Sequence, residues 1–346
     1  MNQSFIKLKN KFDKIFMTFL DKKISQAKKN FFNYKEIIYF YELIKKYSYD
    51  GKRLRPLFMI SAYKNFKKDD KIFLPAVSIE LLHTYSLILD DIMDEDEFRR
   101  NKPTIYKKLK DYYLKNFSET LYEGSLFNKK SNRFSVSFAI MIANITNILS
   151  KEAIIESDFS DEIKIKALEN INKIDREIYN GQMLDLLFEN KNIFEISEKD
   201  YYYLIKLKTA ILFGLSLELA AIFLEKQNLS KVFRNAGINW ALGFQIRDDL
   251  LDLKENEKGR EIGSDLKKQK KTLIFIKAIN ILKEKSESEK INFLLSLNQN
   301  SSKEDISKAI KILKQTKSIE YAEKKVICFE KKAKKIFLDL GLNNFN

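Results

Sequence analysis

The chain has 346 residues, 45% of them hydrophobic, which is enough apolar content for a sizeable core. A single cysteine, Cys328, excludes an internal disulfide and a cysteine zinc cluster, and fits a reducing compartment. The net charge of +15 is spread along the whole chain with no nucleic-acid module signature, so it reads as a solvated basic surface rather than a nucleic-acid interface.

Only three prolines and nine glycines occur, and no proline follows Thr104. Breakers this rare favour long helices, and neither βαβ alternation nor a fixed-period repeat is visible. The opening "MNQSFIKLKNKFDKIFMTFLDKK" reads as an amphipathic lysine-rich helix without the uninterrupted apolar core of a signal peptide. No stretch approaches the roughly 18 uncharged apolar residues of a membrane span. The expectation is a cytoplasmic protein with at most loose membrane contact. "GKRLRP" follows at 51–56. "LPAVSIELLHTYSLILDDIMDEDE" at 74–97 is then one long helix with Leu74, Val77, Leu81 and Ile88 among its apolar positions, ended by Asn101, Lys102 and Pro103. Pro75 is tolerable in its first turn. The polar segment 111–132 reads as an inserted loop. Further helices are expected at 133–157, 161–190, 199–226, 231–255, 271–285 and 303–340, with a breaker-rich stretch at 254–272. The fold class is all-α, one helical domain over 1–346.

Two acidic clusters share one design. Asp90, Asp91 and Asp94 form Asp-Asp-x-x-Asp after an apolar run, and so do Asp248, Asp249 and Asp252. At about 100° per residue, Asp90 and Asp94 share a helix face, as do Asp248 and Asp252. Paired carboxylates repel unless a cation sits between them. Magnesium suits such a pair, because it takes few carboxylates and leaves positions for substrate phosphates. Calcium binding of the EF-hand type lacks the required glycine and loop spacing. One copy would equally suit a solvated acidic helix end, and the second copy favours the metal. A helical bundle can project such acids into a shared central cavity, where two opposed helices would hold several ions around one diphosphate.

Cations stand nearby in sequence. Arg99 and Arg100 follow the first cluster, and Lys52 and Arg55 lie three residues apart beside Pro56. Arginine grips phosphate oxygens bidentately, although "KRLR" alone equally suits a surface basic run. His83, the only histidine, lies seven residues before Asp90 on nearly the same face. A lone histidine in an apolar helix is usually a core residue, but this alignment makes it a candidate phosphate donor.

At this point the chain resembles the trans-isoprenyl diphosphate synthases (polyprenyl synthetases) of the farnesyl and geranylgeranyl type. The motifs are "GKRLRP", "ELLHTYSLILDDIMDEDEFRRNKPT", "GQMLD" at 181–185, "KTAILF" at 208–213, "GFQIRDDLLD" and "GREIGSDLKKQKKT", in the family's order from residue 51 to about 275. The resemblance implies an all-helical bundle around a deep central cavity, usually a homodimer. It implies head-to-tail condensation of isopentenyl diphosphate with an allylic diphosphate (DMAPP, GPP or FPP), with about three magnesium ions per site. By the same resemblance, Asp90, Asp94, Asp248 and Asp252 bind magnesium on the allylic diphosphate. Arg99, Lys208, Gln245 and Lys270 contact that diphosphate, with Thr209 beside Lys208 at the reacting end and Arg260 in the place of a common lysine. Lys52, Arg55, His83 and Arg100 hold isopentenyl diphosphate. The residues five and four before the first aspartate, Tyr85 and Ser86, set the cavity floor. Tyr85 lies about 7.5 Å down the helix from Asp90, which points to a C15 or C20 product.

The sequence departs from the family at Leu89 (often histidine), Asn101 and Gln269 (glycine), Ile274 (proline) and Asn144 (aspartate). None is a predicted metal ligand. The competing readings are a non-catalytic partner subunit, a longer-chain synthase, a terpene cyclase or head-to-head synthase, and a basic membrane- or nucleic-acid-binding protein. Two intact aspartate motifs count against the partner subunit, and the cations apparently serving a second diphosphate count against the cyclase.

Overall fold

The computed structural model describes residues 3–254 and 262–339. Helices dominate, as expected, and the contacts within the chain divide it into two units. The first comprises residues 1–169 with 222–225, the second 170–221 with 226–346.

In the first unit the chain runs through helices Gln3–Asn30, Lys35–Ser48, Leu54–Lys64 and Phe73–Met93, a two-stranded hairpin, Ile105–Asn116 and Lys130–Ile155. Phe73–Met93 is apolar on most of its circumference, and Ala76, Val77, Ile79, Leu81 and Ile88 are all buried. Such a helix must be enclosed by neighbours. It packs chiefly along Lys130–Ile155, and also against Leu54–Lys64. Lys130–Ile155 is long and apolar enough to cross a membrane, where no such stretch is expected from the sequence; half of its apolar window is buried within the fold. The expected loop at 111–132 is narrower. Helix Ile105–Asn116 extends into it, Lys130 begins the next helix, and a single bridge pairs Leu121 with Lys129 between them.

The helix expected over 74–97 stops at Met93, ten residues before Pro103. Glu95 adopts φ +52°, its N–H donates to the carbonyl of Ile92, and the Asp96 N–H donates to that of Asp91 at 3.0 Å. That is a Schellman end built on glutamate instead of glycine. Its physical cause is local: carboxylates crowd a helix C-terminus, where like charges and the helix dipole both oppose further helical turns.

The second unit holds the remainder of Asp161–Asn190, then Glu198–Ile205, a π-helical turn Lys206–Ala210, Ile211–Phe223, Ser230–Asp252, Ser264–Lys267, Leu273–Glu284, Ser288–Ser296, Lys303–Gln315 and Ser318–Asp339. Ser230–Asp252 packs along Ser318–Asp339. It also approaches Ile211–Phe223 so closely that a Cβ at Gly237 would sit 2.4 Å from the Phe213 carbonyl oxygen. The helix expected over 303–340 is broken at Thr316–Lys317, where Lys317 turns left-handed at φ +56° and the Thr316 hydroxyl donates to the Leu313 carbonyl.

Candidate active-site residues

In the first unit, Asp90 lies in the last turn of Phe73–Met93, and Asp94 caps it with its N–H donated to the Asp90 carbonyl at 2.8 Å. The helical step from 90 to 94 therefore survives the end of the helix, and the two carboxylates keep the i,i+4 relation. Asp91 points the other way and is 1% exposed. One of its oxygens accepts from the Tyr47 hydroxyl at 2.6 Å, the other from the Arg99 Nε at 2.5 Å. Arg99 also donates Nη2 to Asp90 at 2.9 Å. Burial raises the Asp91 carboxyl, with Arg99 opposing that shift. Arg99 itself, despite burial, is held above the ordinary arginine range by Asp91.

Arg99 sits in the hairpin Phe98–Arg99 paired with Lys102–Pro103. The two loop residues, Arg100 and Asn101, have φ +53° and +60°. Both central residues left-handed is the geometry of a two-residue hairpin, and asparagine is the residue after glycine that tolerates it best. Asn101 thus fills the family's glycine position without breaking the turn.

A pocket in this unit gathers His83 and Arg100, expected at one diphosphate, with Arg99, expected at the other, together with Lys46, Tyr47, Asp50, Arg53, Glu80, Lys102 and Lys108. Lys52 is exposed and Arg55 half-buried, and neither lines the pocket surface. Arg55 still acts on it electrostatically. Burial, with Arg100 adding to it, pushes the Arg55 guanidinium down to about 10. Burial, followed by Arg55, Arg100, Arg99 and Arg53, holds the His83 imidazole well below its usual range, so it is neutral near pH 7. Arginines therefore dominate the charges that act on this imidazole.

The loop that carries Lys52 and Arg55 is built on Arg53, which sequence reading assigned no role. Arg53 is left-handed at φ +54°, and its side chain is 1% exposed. It donates to Asp13 at 2.7 Å, to Glu80 at 2.6 Å, and to the carbonyls of Ser48 and Tyr49 at 2.6 and 2.7 Å.

In the second unit, Asp248 and Asp252 lie in the last turns of Ser230–Asp252. The middle aspartate is again buried and again held by a tyrosine. Tyr201 donates to Asp249 at 2.7 Å, and Gln245 Nε2 donates to its other oxygen at 3.0 Å. Thr209 donates in turn to Gln245 Oε1 at 3.1 Å. Burial, then the neighbouring Asp265, pushes the Asp249 carboxyl up to about 7. Lys208 and Thr209 stand on the π-helical turn, a feature that often marks functional positions. Gly181 permits that turn, since a Cβ there would sit 2.6 Å from the Lys208 amide nitrogen. Lys208 pairs with Asp185 of the same "GQMLD" segment.

Asp252 accepts the Asp265 N–H at 3.0 Å on its carboxylate and the Gly263 N–H at 2.8 Å on its carbonyl. Lys270 closes this turn through its own N–H to the Asp265 carbonyl. Gln269 stands at φ +52°, which explains the usual glycine there. Its amide Nε2 approaches the carbonyls of Leu294 at 3.0 Å and Leu297 at 2.9 Å, contacts that offset the strain. Ile274 is buried in the first turn of Leu273–Glu284, where a proline or any residue serves, because the N–H there has no helical partner. Leu89 is half-buried, and Asn144 is exposed and bonded to its own helix at the Ile140 carbonyl. Arg260 lies outside the described residues. Tyr85 is buried and Ser86 half-buried, with its hydroxyl donated to the His83 carbonyl at 2.9 Å.

The donor chemistry fits magnesium and does not fit a closed protein cage. Among the described residues no cluster of three or more His, Cys, Asp or Glu side chains gathers as a metal site. What each unit offers is an i,i+4 carboxylate pair at a helix C-terminus, where the dipole adds negative potential. Magnesium is commonly bound by one or two carboxylates plus substrate phosphates, so an incomplete set is what it requires.

The Polyprenyl synthetase family model matches residues 38–313. The chain is 31% identical over 288 residues to a geranylgeranyl pyrophosphate synthase of Geoglobus acetivorans, covering 82% of this chain and 79% of that one. It is 32% identical to a geranylgeranyl diphosphate synthase of Saccharolobus solfataricus and to a short chain isoprenyl diphosphate synthase of Methanocaldococcus jannaschii, each over 79% of this chain and 75% of the relative. Among solved structures, a geranylgeranyl pyrophosphate synthetase of Pyrococcus horikoshii superposes with a TM-score of 0.74 at 30% identity, covering 94% of this chain and 92% of the other. A geranylgeranyl pyrophosphate synthase of Corynebacterium glutamicum, solved with isoprenyl diphosphate and magnesium, reaches 0.81 at 20% identity over 95% and 93%, a likeness of fold.

Proposed function

The chain belongs to the polyprenyl synthetase family of prenyltransferases, and on that premise we propose that it condenses isopentenyl diphosphate head-to-tail with an allylic diphosphate to a C15 or C20 product. The observation that carries the reading is the repeated acidic helix end, Asp90/Asp94 and Asp248/Asp252, each with its middle aspartate turned inward onto a tyrosine. Relatives named for geranylgeranyl products support the longer of the two lengths.

In this reading the four outward aspartates hold magnesium on the allylic diphosphate. Bound there, magnesium would neutralise the charge that builds on the departing diphosphate. Arg99, Lys208, Gln245 and Lys270 orient the same group, with Arg260 contributing from the segment between Gln245 and Lys270. Thr209, fixed by Gln245, stands at the reacting end. The second diphosphate goes to the cations of the first unit, with Arg100 and neutral His83 in the pocket and Lys52 and Arg55 on the adjoining loop. Ionisation breaks the allylic C–O bond, the isopentenyl π-bond attacks, and a proton leaves the adjacent carbon. The released diphosphate can accept that proton, so the chain needs no dedicated base, which suits a protein with one histidine. Apolar walls exclude the water that would quench the cation, and Tyr85 with Ser86 limits growth of the chain. The lone cysteine keeps the expected compartment reducing and cytoplasmic. A homodimer is supported by the exposed apolar residues Ile140, Met141, Ile148 and Ile155 on Lys130–Ile155.

The test is incubation of the purified protein with labelled isopentenyl diphosphate, magnesium and C5, C10 or C15 starters, followed by sizing of products. Asp90→Ala and Asp248→Ala should each lower turnover by roughly 100-fold or more at saturating magnesium. Near-normal turnover of either variant would reject the metal assignment, and no product from any starter would reject the reaction. Tyr85→Ala should lengthen the product, and an unchanged length would remove Tyr85 from the cavity floor.

A further inference from the structure

The first-unit pocket carries more positive charge than the expected diphosphate ligands supply. Lys46, Lys102 and Lys108 line it beside Arg100 and His83, and no sequence motif pointed to them. Their partners differ. Lys102 is neutralised by Asp50. Lys46 lies over the Tyr39 ring and has, among the described residues, one distant carboxylate, Glu42 at 4.0 Å. Lys108 makes no ion pair among the described residues, and it is half-buried on Ile105–Asn116. Burial acts on its ammonium first, then Lys46 and Lys102, and all three disfavour the charge. The carboxylates that line this pocket are already engaged, Asp50 by Lys102 and Glu80 by Arg53. A wall with cations to spare and its acids occupied suits a bare anion better than a metal complex. The half-buried Lys108 ammonium, repelled by the exposed Lys46 and Lys102, is held at a cost which a polyanion would repay.

We propose that Lys108, assisted by Lys46, is a further ligand for the diphosphate of the homoallylic substrate, extending the site of Arg100 and His83 along Ile105–Asn116 and binding that diphosphate without metal. The identity of the substrate rests on the function proposed above. The location of the anion rests on the pocket alone. A diphosphate carries more than one negative charge at neutral pH and offers several acceptor oxygens, so it can reach two cationic walls at once.

The experiment uses the full chain with Lys108→Gln, Lys108→Arg and Lys46→Gln. Two readouts are taken: steady-state kinetics with each substrate varied in turn, and calorimetric binding of inorganic diphosphate in the presence of a chelator. Lys108→Gln should raise KM for isopentenyl diphosphate about tenfold, the scale of one charge-assisted hydrogen bond, and KM for the allylic substrate much less. Lys108→Arg should recover most of the loss, and Lys46→Gln should show a smaller effect of the same kind. Metal-free diphosphate binding should weaken in parallel. If Lys108→Gln leaves both the isopentenyl KM and diphosphate binding unchanged, the inference is wrong while the reaction stands. An equal rise in both KM values would overturn it as well, by showing a general structural effect. If the wild type turns over no isopentenyl diphosphate, the function fails, and the binding arm alone decides for or against the anion site.

Discussion

Replacing Arg53 by alanine removes a guanidinium that bonds four partners from three segments of the first unit. Glu80, whose side chain is 9% exposed, would lose its hydrogen-bonded cation. Breaking a buried pair in this way costs about 3–5 kcal/mol, because the remaining charge stays desolvated. Against a urea m-value of about 2 kcal/mol/M, the midpoint should fall by about 2 M. Two related variants sharpen the prediction. Lysine keeps the charge but lacks the planar fork that reaches Asp13, Glu80 and the two carbonyls together, so Arg53→Lys should fall between wild type and alanine. Glycine removes the same bonds but relieves the strain at φ +54°, so Arg53→Gly should be about 1 kcal/mol more stable than Arg53→Ala. Urea unfolding followed by far-UV circular dichroism gives all three values. Below the midpoint, KM for isopentenyl diphosphate should rise in Arg53→Ala, because Lys52 and Arg55 flank the residue that is lost. An alanine variant within 1 kcal/mol of wild type would refute the view that Arg53 organises this loop.

Tyr47→Phe and Tyr201→Phe each delete one hydrogen bond to a buried aspartate, a loss of about 1.5–3 kcal/mol for a charged acceptor. Both should raise the magnesium concentration needed for half-maximal activity, and an unchanged magnesium profile in both would deny the tyrosines any part in aiming the outer carboxylates. His83 gives a pH signature. Its folded pKa lies below the unfolded value near 6.5, so the unfolded chain binds the extra proton and stability falls as pH drops below about 6.5. His83→Gln should flatten that acid limb in denaturation curves taken from pH 5 to 8, and an identical limb would place the imidazole in a different setting. Ile148→Asp puts a charge on the exposed apolar stripe of Lys130–Ile155; if the proposed homodimer forms through that stripe, sedimentation should show the variant as monomer, and a dimeric variant would move the interface elsewhere.

What the sequence made legible was local. The i,i+4 aspartate pairs and the run of long helices follow from spacing along the chain, and the cations near them from their place just after or before those helices. What it hid depends on partners distant in the chain. Tyr47 meets Asp91 across 44 positions, Tyr201 meets Asp249 across 48, and Arg53 meets Glu80 across 27. Nothing in the pattern of a single segment marks those tyrosines as donors, or separates Arg53 from Lys52 and Arg55. Lys46, Lys102 and Lys108 were concealed differently, by a lysine content that made each one look like surface. The helix ends were misplaced for a third reason: Glu95 and Lys317 take left-handed conformations that a reader expects of glycine.

The two acidic motifs spell the same pattern yet differ in electrostatics. In the first, Arg99 bridges Asp90 and Asp91, so part of the negative charge at that helix end is already balanced inside the protein. On the proposed assignment, a metal ion at Asp90 would compete with that guanidinium, and the diphosphate would offer Arg99 another anion. In the second, the donors to Asp249 are a hydroxyl and an amide, both neutral, and Asp265 adds to the negative field. Identical motifs therefore hold their middle aspartates by different means: the first uses an arginine that also reaches the neighbouring Asp90, and the second uses neutral donors against a neighbouring acid, so the Asp249 carboxyl is pushed up while Arg99 opposes the rise at Asp91.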